Sequence, residues 1–213
     1  MRDSFPALEH EVNLSLHSRD MHRRAEVVYA NPDMFDRVKR AWAVWMLANC
    51  SYGCKLDGCF GYDRTGGMSK KLDNKRKSFT EEYAKRLSRV QIECYDALRI
   101  IKSRDTEDTF FYIDPPYVGA DQGHYDGYTQ EDFDNLLSLL GEIKGKFLLS
   151  SYRNKSLNES IASHSWHTAE IKMHCPMTSR AAQVHTKIEV LTASFPFDLN
   201  LDRPHKKLVT DVE

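Results

Sequence analysis

Net charge is almost absent from this sequence. Thirty Lys and Arg stand against 31 Asp and Glu, leaving −1 over 213 residues. No overall field therefore draws the chain to nucleic acid or membrane, and local patches must be judged one by one. No apolar run approaches the ~20 residues that a bilayer span needs. The opening MRDSFPALEHEV has no apolar segment of the signal-peptide kind. Cysteine is scarce and odd in number, at five. That count fits a reduced, cytoplasmic protein better than a disulfide framework. No internal repeat is found. What is present is enough apolar sequence, 41%, for one large domain or one domain with a small insert.

Residues 4–30 read as one polar helix, broken at Asn31-Pro32-Asp33. Phe35, Val38, Trp42 and Trp45 then recur at helical spacing, predicting an amphipathic helix to about Ala48 whose tryptophans face the core. Periodicity vanishes from Cys50 to Lys77, a stretch with five of the ten glycines and a Lys/Arg run. Ser78-Phe79-Thr80-Glu81 has the form of a capping box, ahead of a helix to about Arg89. Val90–Cys94 reads as a short strand and Ala97–Ile101 as a turn or two of helix. Strands are expected at 109–113, 146–151, 165–173 and 187–195, and helices at 129–140 and 155–163. Strands alternating with helices predict an α/β sheet.

The segment TFFYIDPPYVGA, 109–120, holds the chemistry. An apolar strand stops on Asp114, and open α/β sheets bind ligands beyond the carboxyl ends of their strands. Pro115 and Pro116 fix the backbone and remove donors, and each restricts the residue before it. A carboxylate from Asp114 and a rigid carbonyl from Pro115 then converge, able to accept two hydrogen bonds from one NH₂ group. Tyr117 follows as a ring that can stack on a flat base. This set suits methylation of an exocyclic amine. Two acceptors favour the pyramidal, nucleophilic nitrogen of the transition state, and the base must first leave the duplex. Chance alone gives this tetrapeptide in on the order of one in a thousand chains of this length, so a turn that merely spells DPPY is the weaker reading.

The chain resembles the Dam-type DNA adenine methyltransferases, whose hallmark is a strand followed by DPPY. HYDGYTQED at 124–132 is similar to the aromatic loop and Thr-led helix that follow the motif. FLLSSY at 147–152 and TKIEVLTASFP at 186–196 are similar to later strands, the second carrying Glu189. VKRAWAVWMLANCSYG at 38–53 resembles the start of the recognition insert. The resemblance implies a Rossmann-like sheet dependent on S-adenosylmethionine, with a mostly helical target-recognition insert. It implies a helical lead-in at 1–32, the insert at 33–89, a catalytic domain at 90–197 and a polar tail at 198–213. The substrate implied is the N6 amine of adenine in double-stranded DNA. QIECYDA at 91–97 sits where the cofactor adenine is contacted, so Ile92, Glu93 and Asp114 are the cofactor candidates. The family's F-x-G-x-G turn is not found, and the expectation is a sheet incomplete on its N-terminal side. The expected partners are a second copy of the chain, in a homo-oligomer paired through exposed strand edges, or a separate N-terminal chain. Two alternatives are a DNA-binding remnant that cannot hold cofactor alone and a cytosine-N4 methyltransferase.

Tyr52, Arg64, Lys70, Lys71, Lys75, Arg76 and Lys77 form a basic, aromatic-flanked stretch. It reads either as a solvated loop or as a DNA-contacting one, with lysines on phosphates. His124 and Tyr125 follow DPPY and are candidates to close over a flipped base. Cys50, Cys54 and Cys59 have irregular spacing and no obvious fourth ligand, so no metal is expected.

Overall fold

The computed structural model describes residues 2–118, 127–174 and 186–198. The chain divides into two compact units, Met1–Glu93 and Cys94–Glu213. Charge divides with them. The first unit carries 17 Lys and Arg against 13 Asp and Glu, a net +4; the second carries 13 against 18, a net −5. Among the described residues no helix is long and apolar enough to cross a membrane.

The first unit is helical: α1 (Phe5–Asn13), α2 (Arg19–Ala30), α3 (Arg37–Cys50), α4 (Gly67–Lys77) and α5 (Glu82–Leu87). Apolar residues of the expected lead-in and of the expected insert share one core. Phe5, Leu8, Val12 and Val28 pack with Trp42, Met46, Leu47, Leu72 and Phe79. The single helix expected over 4–30 is two helices with a corner at 14–18. Buried Ser15 makes that corner, donating to the Glu11 carbonyl at 2.9 Å and accepting from Trp42 Nε1 at 2.8 Å. Ser18 then caps α2, accepting from the Met21 amide. Sequence periodicity does not see such a corner, because apolar residues continue through it.

Three further expectations are corrected in this unit. The basic stretch 67–77 is a helix, not a loop. Asp63 accepts from the Gly66 and Met68 amides at 2.8 and 2.9 Å, Leu72 anchors the helix in the core, and Lys75, Arg76 and Lys77 suit its negative C-terminal end. The capping box at Ser78–Glu81 does not form. Ser78 Oγ donates instead to the Lys75 carbonyl, closing α4, and α5 starts without a side-chain cap. Val90–Cys94 is irregular, not a strand, and exposed from Gln91 on.

The second unit is mixed α/β: α6 (Ala97–Arg104), β1 (Phe110–Ile113), α7 (Gln130–Leu140), β2 (Lys146–Ser151), α8 (Lys155–His164), β3 (His167–His174) and β4 (Thr186–Ala193). The sheet order is β1-β2-β4-β3. β1 and β2 are parallel, with Ile113 opposite Leu149. β4 runs antiparallel to both its neighbours. Phe147, Leu149, Leu136, Leu137, Leu157 and Trp166 form the core under α7 and α8. Thr129 and Asp132 cap α7 reciprocally. Gly145 lets the α7–β2 turn close on β1, where a Cβ would lie 2.7 Å from the Thr109 carbonyl oxygen. The Asp105 carboxylate holds that turn through the Lys144 and Gly145 amides. Beyond Asp198 the expected polar tail lies outside the described residues.

Candidate active site at the end of strand β1

β1 and β2 run parallel, so their carboxyl ends share one edge of the sheet. Asp114 leaves β1 there and is exposed. Ser150 and Ser151 end β2 and are buried. Glu189 comes from β4, next to Val190, which pairs with Ser151.

Tyr117 gathers these residues. Its hydroxyl lies 2.5 Å from Ser150 Oγ, 3.1 Å from Glu189 Oε1 and 3.2 Å from Asp114 Oδ1. Ser150 Oγ donates a very short bond to Glu189 Oε1. With the Ser150 proton committed to Glu189, the bond between the two hydroxyls is left to the Tyr117 proton. Ser150 donates to Glu189, and Tyr117 donates to Ser150. Asp114 keeps the weakest of these contacts and its carboxylate remains available. Burial, followed by the Asp114 and Glu189 carboxylates, holds the Tyr117 phenol protonated well above its ordinary range. The ring is also fixed, edge-on against Tyr152 at 4.5 Å.

The Pro115 carbonyl accepts no backbone hydrogen bond among the described residues. Pro115 and Pro116 are partly buried, and their peptides are trans. An exposed carboxylate and a carbonyl with no backbone donor among the described residues therefore stand on adjacent residues of a proline-stiffened strand end. Two carboxylates meet at this site, and no ion pair ties either one to a basic side chain among the described residues. The donor set thus fits a cationic ligand group such as a sulfonium.

Apart from His124 and Tyr125, the remaining candidates lie in the first unit. Ile92 is 74% exposed and lines a shallow hollow with Asp3, Leu87, Arg89 and Val90. Glu93 is exposed beside it. Tyr52 is exposed in the turn Tyr52–Cys54, and Arg64 in the turn before α4. Lys70, Lys71, Lys75, Arg76 and Lys77 lie on α4. They are not equally free. Arg76 donates to the Ser15 carbonyl at 2.9 Å and to Asp73, Lys77 pairs with Asp73, and Lys71 approaches Cys54 Sγ at 3.6 Å. His124 and Tyr125 lie outside the described residues. Cys50 is buried, and burial pushes its thiol up to about 11. Ser150 and Tyr152 carry no motif of their own; a strand ending in small polar residues was the available signal.

A strand ending in Asp-Pro-Pro-Tyr on a mixed α/β unit suits the class of enzymes that methylate an exocyclic amine. Residues 26–175 match the model of the D12 class N6 adenine-specific DNA methyltransferases. The chain belongs to that family, and its reaction is methylation of the N6 amine of adenine in DNA. No curated protein matches the chain. The matched span includes Asp114, Tyr117, Ser150 and α4; Glu189 lies beyond it.

Proposed function

We propose that the strand end Asp114-Pro115-Pro116-Tyr117 is the methyl-transfer centre and that S-adenosylmethionine is the donor. The Asp114 carboxylate accepts one N6 hydrogen of a flipped adenine, and the Pro115 carbonyl accepts the other. The nitrogen lone pair is thereby drawn out of conjugation and aimed away from the ring. Tyr117 packs against the base, with its hydroxyl held by Ser150 and Glu189. When bound, the cofactor would supply an electrophilic methyl group on a sulfonium, whose charge the exposed Asp114 carboxylate suits. The scaffold in this reading is a Rossmann-like methyltransferase sheet, of which β1 and β2 form the parallel part. Met1–Glu93 is the unit that holds double-stranded DNA, through Tyr52, Arg64 and the lysines of α4.

One observation carries the reading: the Asp114 carboxylate is exposed at a parallel strand's carboxyl end, while the neighbouring hydroxyls satisfy each other. The test is transfer of labelled methyl groups to duplex DNA by an active preparation of the protein. Asp114→Ala should lower turnover by about 10²-fold or more, as loss of a transition-state contact does, with an unchanged far-ultraviolet dichroism spectrum. Turnover near the parent rate would remove Asp114 from this role.

A further inference from the structure

Arg19 precedes the matched span and belongs to the other unit from the strand-end site. It opens α2, and its guanidinium carbon lies 5.1 Å from the ring centre of Phe60 and 5.8 Å from that of Tyr62. Two aromatic rings thus hold one cation. Arg23 and Arg24, a turn further on, both pair with Asp20. Arg19 forms no ion pair among the described residues. Tyr62 is 71% exposed, so the stack is open to solvent. A guanidinium held over aromatic rings keeps its hydrogen-bonding edge for another partner and loses less freedom when it binds one.

Phe60 is also held by His17, whose ring lies on it at 4.7 Å. His17 Nε2 is 2.8 Å from the Gly61 carbonyl, and Nδ1 is 3.0 Å from Ser69 Oγ. The carbonyl can only accept, so Nε2 donates, and in the neutral ring Ser69 donates to Nδ1. Gly61 lies between Phe60 and Tyr62, and Ser69 precedes Lys70 in the first turn of α4. One histidine therefore ties the corner before α2, the aromatic loop and α4 into a single braced region of a unit whose net charge is +4.

We infer that Arg19, presented by Phe60 and Tyr62, grips a backbone phosphate of duplex DNA. The inference rests on the DNA-methylation reading and adds a contact to it. The planar fork of donors matches a phosphate's oxygens. A guanine edge would accept the same fork, and salt dependence separates the two. A phosphate contact contributes about 0.9 to the slope of log K against log salt; a base contact changes sequence preference and leaves that slope alone.

The test is fluorescence anisotropy of the full chain on a labelled mixed-sequence duplex at several salt concentrations. Arg19→Ala should bind roughly tenfold more weakly at low salt, the scale of one charged hydrogen-bonding contact, with a slope shallower by about 0.9. Arg19→Lys should keep the slope and bind with intermediate affinity, since it retains the charge but not the fork. Thermal melting of both variants should match the parent; a lower melting temperature with the parent slope would mean that Arg19 only braces the fold. Parent affinity and slope in Arg19→Ala would overturn the inference alone. An unchanged slope with altered sequence preference would replace the phosphate by a base. Failure of the parent itself to bind DNA at low salt would overturn the inference together with the reading beneath it.

Discussion

Tyr117 does more than offer a ring. Its phenol stays protonated, so it is a hydrogen-bond donor throughout the neutral range, and Glu189 is the final acceptor of the chain that starts there. In the proposed site Glu189 is a positioning residue, acting on the base through Ser150 and Tyr117. Glu189→Ala leaves the buried Ser150 hydroxyl without its acceptor, at a cost of about 1–3 kcal/mol, readable by urea unfolding. Turnover should fall roughly tenfold or more, because the ring proposed to pack on the base loses its anchor. Glu189→Gln keeps an acceptor oxygen and should recover most of both losses. If Gln proved as damaging as Ala in methyl transfer while restoring stability, charge at Glu189 would be what matters, not positioning.

At the scale of elements, much was legible in the sequence. β1, α7 and β2 follow from an apolar run, a Thr-led cap and a second apolar run. The DPPY end is readable because proline restricts backbone in the unfolded chain as in the folded one. The network behind it is not, since Ser150 and Glu189 meet Tyr117 only after β2 and β4 pair. The corner between α1 and α2 was hidden for a similar reason, because Ser15 accepts from Trp42, a partner that tertiary packing supplies; α4 was hidden because glycines and charge mask its period, and Leu72 is its one buried residue. His22 is another such residue, buried on α2 with Nε2 2.8 Å from Ser51 Oγ. Burial lowers its pKa below the ordinary value of about 6.5, against the pull of Glu26. The neutral form is therefore favoured in the fold, and the unfolded chain binds the extra proton as pH falls below about 6.5. Stability should drop as pH falls from about 6.5 towards the folded pKa and be flat above that window. Thermal melts at pH 5 and 7.5 should differ less for His22→Gln than for the parent. An equal pH response in both would assign the effect to other groups.

Seen whole, the molecule is close to neutral only because its two units oppose each other, at +4 and −5. DNA affinity should follow the local charge rather than the sum. Counterion release depends on the cations that touch phosphates, and exposed charges further away than about 8–10 Å are largely screened. Lys70 and Lys75 have no partner among the described residues, whereas Lys77 is paired with Asp73 and Lys71 leans on Cys54. Both Lys77 and Arg76 hold the Asp73 carboxyl below its usual range. Replacing Lys70, Lys71, Lys75 and Lys77 by Ala should flatten the salt slope by about 1.8 if only the two unpaired lysines reach phosphate, and by about 3.6 if all four do. Neutralising Glu131 and Glu142 in the acidic unit, by Glu131→Gln and Glu142→Gln, should leave the slope where it was, although it changes net charge by two. A slope that ignored the lysines and followed the acids would mean that the whole-molecule field, not the α4 surface, governs how this protein meets DNA.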